Sequence, residues 1–138
     1  MFLPNLKQEY SKVQDYFETT PIKCDALQGR KVAINAEGLV LPCNFFNHNL
    51  YDARFRDGSL PGAHALAQPN GSNQVRDFLS KYGFENLNIH HRTLERVFDN
   101  PMWNDLVDSF TNSNRLFECA MTCGSRLQKV WDQGGSNR

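Results

Sequence analysis

The chain has 138 residues and a formal charge of zero, with fifteen basic and fifteen acidic side chains. Its length suits one domain, and its 40% hydrophobic fraction, with ten Phe, four Tyr and two Trp, is typical of a folded chain. The sequence contains no basic run of the kind that nucleic acid or an anionic membrane requires, and no apolar run as long as a spanning helix. We therefore expect a globular protein that binds neither nucleic acid nor membrane.

The first twenty residues predict an N-terminal linker helix. Asn5 is its cap, Pro21 follows its end, and its apolar residues recur at helical spacing at Leu6, Tyr10, Val13 and Phe17. The opening MFLPNLKQEY lacks the charged and apolar regions of a signal peptide, so we expect a cytoplasmic protein. In that reducing setting, paired cysteines more often bind metal than form disulfides.

A β-hairpin is predicted next. Apolar residues alternate along Val32, Ile34 and Ala36, which indicates a half-buried strand with these three side chains on its buried face. Gly38 supplies the positive φ of the turn. The return strand runs from Leu39 to Cys43, and Pro42 places it at a sheet edge or ends it there, because proline lacks the backbone donor.

Residues 44–73 show the least regular pattern. Turn-forming residues are dense there, at Gly58, Pro61, Gly62, Pro69 and Gly71. We predict a long loop with one short turn of helix at most, and loops of this length are usually functional or mobile.

The remaining chain predicts several helices. The first covers residues 74–82 with a buried face, the next begins after a Thr93 cap, and a third begins at Pro101. The expected buried side chains are Val75, Phe78, Leu79 and Tyr82 in the first, and Met102, Trp103, Leu106, Val107 and Phe110 in the third. Short helices follow at residues 116–123, ended by Gly124, and at 126–132, and residues 134–138 are expected to be a disordered tail.

The four cysteines form two pairs that are far apart in sequence. Cys24 and Cys43 frame the hairpin in the order Cys24-x13-Gly38-x4-Cys43, and Cys119-x3-Cys123 lies near the C-terminus. Four thiols in two such pairs suit one four-thiolate site that closes an α+β fold, a small β-hairpin plus several helices. A four-cysteine site holds either zinc or an iron–sulfur cluster.

The spacing bears on the choice between these metals. Structural zinc sites usually take each pair of ligands from a tight knuckle, which Cys119 and Cys123 resemble but Cys24 and Cys43, with eighteen residues between them, do not. Two sulfurs one helical turn apart suit two irons of a cubane at least as well as one zinc ion. Two disulfides and the burial of four unrelated cysteines are the remaining alternatives. The cytoplasmic setting and the shortness of a bridge across one helical turn weigh against the disulfides.

Together with the flanking segments VAINAEGLVLPCNFF and TLERVFDNPMWNDLVDSF, this pattern resembles the twitch domain of radical SAM enzymes, the shortened form of the SPASM domain. The resemblance spans roughly Pro21 to Leu127, and we assign residues 21–133 to a twitch-like domain. It implies that Cys24, Cys43, Cys119 and Cys123 together ligate one auxiliary 4Fe-4S cluster.

The resemblance also implies a role. The Cys-x3-Cys-x2-Cys motif with which radical SAM enzymes bind S-adenosylmethionine is absent, so we expect no catalysis by the chain alone. The twitch-like domain would support electron transfer or substrate positioning for a partner catalytic domain. The expected partner is a radical SAM catalytic domain or a partner protein, with a peptide or protein as the substrate. The alternative is a zinc-stapled, non-catalytic structural or protein-binding module.

Two further expectations concern the surroundings of the cluster. Its negative charge calls for nearby cations and donors, so we expect Lys23 or Arg126 to approach it. We also expect backbone N–H groups around Gly38, and at the helix start before Cys119, to point at sulfur. Residues 44–73 are expected to lie over the cluster and to be mobile.

Overall fold

A computed structural model of the chain describes residues 13–57, 59–60, 73–112 and 114–124. These residues form an α+β fold of helices and one antiparallel two-stranded hairpin. The start of the predicted first helix, the helix at 126–132 and the tail at 134–138 lie outside the described residues. Within the described part, no helix is long and apolar enough to cross a membrane.

The elements follow in chain order, with labels used from here on. They are α1 (Val13–Thr19), α2 (Asp25–Gln28), β1 (Ala33–Ile34), β2 (Val40–Leu41), α3 (Asn44–Tyr51), α4 (Ala53–Arg56), α5 (Gln74–Ser80), a 3-10 helix (Phe84–Leu87), α6 (Leu94–Phe98), α7 (Met102–Ser109) and α8 (Phe117–Cys123).

The main core lies where the hairpin, α3, α5, α7 and α8 meet. Each fully buried aliphatic or aromatic side chain there contributes about 1.5–3 kcal/mol of transfer free energy. Its most buried members are Leu41, Phe46, Leu50, Leu79, Leu87, Met102 and Leu106. The core therefore joins elements from both halves of the sequence.

Helix α1 packs against α8. Tyr16 and Phe17 are buried, and the Phe17 ring meets the Phe117 ring edge-on with centroids 4.1 Å apart. This aromatic contact ties the start of the described chain to its end.

The predicted hairpin is confirmed, with Ala33 opposite Leu41 and Ile34 opposite Val40. Gly38 has a φ of 89°, as the turn requires. The predicted buried face of the first strand is wrong, because Ile34 is 49% exposed while Ala33 packs against the core. Alternation along a strand indicates two faces but does not tell which one meets the core.

Helix α5 confirms the predicted helix after residue 73. The Asn73 side chain caps it by accepting a hydrogen bond from the Arg76 N–H, and Val75 and Leu79 are buried. The Thr93 cap of α6 is confirmed in the same way, since its hydroxyl accepts from the Arg96 N–H.

Helix α7 begins directly after Pro101, and most of its predicted face packs on the core. Met102 and Leu106 are buried, but the prediction for Val107 is wrong, because this side chain is 49% exposed. Met102 and Leu106 are four residues apart and so share one face, whereas Val107 lies about 100° further round the helix.

The loop predicted for residues 44–73 is wrong where the structure describes it. Residues 44–51 form α3 and residues 53–56 form α4. Phe46 and Leu50, one turn apart on α3, are both buried in the core. Residues 58 and 61–72 lie outside the described residues.

Candidate functional site

Backbone pairing brings Cys24 next to Cys123. Ile22 forms an antiparallel bridge with Gly124, and the Lys23 N–H donates to the Cys123 carbonyl oxygen at 3.1 Å. This pairing sets Cys24, at the start of α2, beside the end of α8. The two thiols interact as hydrogen-bond partners.

The other two cysteines reach the same place from different elements. Cys43 follows β2 as the N-cap of α3, and Cys119 is buried within α8. All four cysteines are free thiols, so neither of the two disulfides considered from the sequence is formed. Together they line one small cavity whose other walls are mainly apolar, formed by residues that include Ile22, Pro42, Phe45, Phe46, Leu106 and Phe110.

Backbone N–H groups stand close to two of the cysteines, and one of these groups donates to sulfur. The Leu27 N–H donates to the Cys24 sulfur at 3.5 Å, and the Ala26 N–H also favours the thiolate there. The N–H groups of Phe45 and Phe46 also favour the thiolate form of Cys43, but neither donates to its sulfur, and the Phe46 N–H donates to the Cys43 carbonyl oxygen at 3.2 Å. Both cysteines stand directly before a helix, where the first N–H groups have no partner within the helix.

The donors expected from the sequence are engaged elsewhere. The Gly38 N–H donates to the Asn35 carbonyl oxygen at 3.0 Å, inside the hairpin turn. At the start of α8, the Phe117 N–H donates to the Gln74 side chain at 2.8 Å. The prediction that these two groups point at sulfur is therefore wrong.

The four thiols differ in acidity. The hydrogen bond from the Cys123 thiol lowers the pKa of Cys24 to about 6, and the N–H groups of Leu27 and Ala26 add to this shift. The same thiol–thiolate bond raises the pKa of Cys123. Burial raises the pKa of both Cys43 and Cys119. Without metal, the arrangement therefore favours one thiolate at Cys24 and three protonated thiols around it.

Among the residues that the structure describes, Arg115 is a cation whose charge acts on one of the cavity cysteines, Cys119. Its guanidinium donates to three backbone carbonyl oxygens: Asn112 at 3.0 Å, Phe110 at 2.9 Å, and Thr20. Its positive charge favours the Cys119 thiolate, against the larger effect of burial. Arg115 thus joins the ends of α1 and α7 to the start of α8.

The cations expected from the sequence are not seen in this role. Lys23 is exposed, and its backbone N–H makes the bond to Cys123. Arg126 lies outside the described residues. The only sequence signal for Arg115 was its position four residues before Cys119.

Glu118 adds a buried carboxylate to the cavity wall. This side chain is only 4% exposed, and it accepts hydrogen bonds from the Asn49 amide at 2.5 Å and from the Thr122 hydroxyl at 2.9 Å. Its charge raises the pKa of Cys43 and Cys119. The Asn49 contact spans 69 positions of sequence, so no local pattern pointed to it.

The four side chains surround the cavity but do not converge on one point. In the described part of the chain, no group of three His, Cys, Asp or Glu side chains is arranged to hold a metal ion. The cavity that the thiols line measures ≈ 20 Å³, about the room that one water molecule needs. The donor types therefore suit a soft metal, while loading one requires the thiols to move.

Comparison with protein-family models, with curated proteins and with solved structures gives no match to this chain. The likeness to the twitch domain therefore depends on the sequence motifs alone.

Proposed function

We propose that this chain is an auxiliary iron–sulfur domain that binds one 4Fe-4S cluster through Cys24, Cys43, Cys119 and Cys123. The observation that carries the proposal is that the only four cysteines of the chain line one cavity, although they come from distant parts of the sequence. Thiolate sulfur is the ligand that iron–sulfur clusters take from proteins.

The residues around the cavity support this chemistry. Cys24 supplies a thiolate readily, and binding through the other three cysteines releases their protons, so loading becomes easier as pH rises. The Leu27 N–H donates to the Cys24 sulfur, and bonds of this kind help to set reduction potential. When bound, the cluster would supply one-electron redox chemistry, and the four cysteines that hold it would be flanked by the mainly apolar residues of the cavity wall.

The wall most able to move is α2. It has only four residues, none of them buried, and it begins directly after Cys24. In contrast, Cys119 lies in the packed helix α8 and Cys43 joins two core elements. An outward shift of α2 would separate Cys24 from the other thiols with little loss of core packing.

The role we propose is support of a partner catalytic domain in the cytoplasm, by electron transfer or substrate positioning. The absence of the Cys-x3-Cys-x2-Cys motif and the twitch resemblance favour a partner of the radical SAM class. With four cysteines as ligands, no iron remains open for substrate, which suits an auxiliary role.

A zinc-stapled structural or protein-binding module is the second candidate. The ≈ 20 Å³ cavity favours it, because a single ion needs less displacement of the thiols than a cluster does. Zinc bonds of about 2.3 Å in a tetrahedron hold the sulfurs roughly 3.8 Å apart. Zinc binding would therefore bring the four thiols closer together, whereas a cluster requires Cys24 to move away from the other three.

Metal analysis and spectroscopy distinguish the two. After anaerobic reconstitution with iron and sulfide, we expect a brown protein with about four irons per chain and an electron paramagnetic resonance signal on reduction. Each of the four Cys→Ser variants should lose most of this iron. Thr122→Ser, which keeps a hydroxyl in the same cavity wall, should retain it and serves as the control.

A colourless protein that binds one zinc per chain would reject the iron–sulfur domain and support the zinc-stapled module. Failure to retain either metal, with the fold intact by circular dichroism, would reject both.

A further inference from the structure

A second cavity lies at the turn end of the hairpin. It measures ≈ 350 Å³, within the range of small-molecule sites. Helix α3 connects it to the cysteine cavity: Phe45 and Phe46 line the latter, while Leu50 and Tyr51 line the former. The length of α3 separates Cys43 from Tyr51 by about 12 Å along the helix axis. The two cavities therefore share elements but not side chains.

One carboxylate in this cavity is held in place. The Tyr51 hydroxyl donates to the Glu37 carboxylate at 2.7 Å, and the Asn88 amide donates to the Glu37 carbonyl oxygen at 2.9 Å. The Ile89 N–H fastens the same turn by donating to the Gly38 carbonyl oxygen at 2.9 Å. Glu37 is thus fixed before any ligand arrives, which lowers the entropy cost of binding.

The cavity also contains a positioned cation. Arg76 donates from Nη2 to the Leu50 carbonyl oxygen at 2.8 Å. Its Nε and Nη1 groups have no partner among the residues that the structure describes. A guanidinium anchored on one side in this way presents its remaining donors to a carboxylate.

Glu85 also lines the cavity, and its carboxylate makes neither a hydrogen bond nor an ion pair within the described part of the chain. The apolar lining comes from Leu39, Leu50 and Phe84. One cavity therefore offers two carboxylates, one guanidinium and an apolar surface.

We propose that this cavity binds a free α-amino acid with an apolar side chain. Glu37 and Glu85 bind the α-ammonium group, Arg76 binds the α-carboxylate, and the side chain lies against Leu39 and Phe84. The pairing of opposite charges selects a zwitterion over a simple acid or amine. This inference does not depend on a metal at the cysteines.

The test uses the full-length chain, labelled with ¹⁵N, with L-phenylalanine as probe. We expect saturable shifts in the amide signals of Tyr51, Arg76 and Asn88, with a Kd of about 1 mM or lower. Two probes that each lack one charge, 3-phenylpropionate and 2-phenylethylamine, should bind at least about tenfold more weakly.

A matched pair of variants locates the ammonium contact. Glu85→Gln should weaken L-phenylalanine binding about tenfold. Glu95→Gln, an exposed glutamate outside the cavity lining, should leave binding unchanged.

The proposal is overturned by the absence of saturable shifts up to about ten times the expected Kd, or by equal binding of the probe that lacks the ammonium group. Equal effects of the two variants would also overturn it, as would shifts centred on Phe46 and Cys119. The titration is run with and without bound metal, so a failed iron–sulfur assignment leaves its result interpretable.

Discussion

Gly38 is the residue whose identity the hairpin turn most clearly requires. Its φ is 89°, and a Cβ there would lie 2.5 Å from the His90 ring and 2.7 Å from the Asn88 side-chain oxygen. Both strain and close contact therefore oppose any side chain. The Asn88 amide also donates to the Glu37 carbonyl oxygen. Displacement of Asn88 by a side chain at position 38 would therefore disturb the second cavity as well.

We expect Gly38→Ala to lower the free energy of unfolding by at least about 1–2 kcal/mol, measured by chemical denaturation. Gly29→Ala is the control, because Gly29 has an ordinary φ of −80° and a Cβ there meets the Asp25 carbonyl oxygen at 3.1 Å. Its loss should be clearly smaller. Equal losses in the two variants would contradict the requirement for a positive φ.

Arg115 and Glu118 place opposite charges beside Cys119, so they should shift the midpoint potential of a bound cluster in opposite directions. Reduction adds negative charge, which a cation stabilises and a carboxylate opposes. We expect Arg115→Gln to lower the midpoint potential and Glu118→Gln to raise it, measured by redox titration. Glutamine at 118 retains an oxygen that accepts from Asn49, so the local packing is kept.

The exposed Arg92→Gln variant is the control for this pair and should leave the midpoint unchanged. The same titration on Lys23→Gln tests the cation expected from the sequence. Shifts of the same sign in the Arg115 and Glu118 variants would show that altered packing, and not charge, is responsible.

Among the elements, α3 is the one on which both cavities depend. Its neighbouring phenylalanines have different surroundings, since Phe46 is 1% exposed in the core and Phe45 is 49% exposed. We expect Phe46→Ala to cost about 3–5 kcal/mol of unfolding free energy and to reduce helical circular dichroism. Phe45→Ala should cost far less, and similar losses in both would mean that α3 is not anchored as described.

The elements that the sequence predicted correctly are those with local signals. The hairpin has a glycine at the turn, α6 has a threonine cap, and α5 has apolar residues three and four apart. Each signal involves only a few neighbouring residues, so it can be recognised in the sequence without knowledge of the fold.

Helix α3 lacked such signals. Asn44, Asn47 and Asn49 have modest helix propensity, and Cys43 makes no side-chain cap hydrogen bond. The burial of Phe46 and Leu50 against elements far along the chain stabilises the helix, as for most helices in proteins. The turn-forming residues begin only at Gly58, but the predicted loop was extended back from them to residue 44 and so included α3 and α4.

In the candidate site, too, some residues could be identified from the sequence, whereas others depend on contacts between distant parts of the chain. The four cysteines were identifiable because a chain with only four offers few alternatives. The charges around them were not, because Arg115 is held by carbonyl oxygens that follow α1 and α7, and Glu118 is held by Asn49. The second cavity has no sequence motif, since its charged groups come from the hairpin turn, α5 and the 3-10 helix.

At the scale of the whole molecule, protein contacts join the two ends of the described chain. The bridge between Ile22 and Gly124, the contact of Phe17 with Phe117, and the hydrogen bond from Arg115 to Thr20 all span the chain. A metal at the cysteines would strengthen a junction that already exists. Its removal should therefore loosen the junction without unfolding the main core.

We expect complete metal removal by chelation to lower the melting temperature by at least about 5 °C, because a metal bound only by the folded state stabilises it. Amide hydrogen exchange should quicken most in residues 22–28, since α2 has no fully buried side chain and begins directly after Cys24. Exchange at Leu79, fully buried in the core, should change least. Each single Cys→Ser variant should reproduce this pattern, because each removes one bond to the metal. An unchanged melting temperature after verified metal loss would show that the protein contacts alone hold the two ends together.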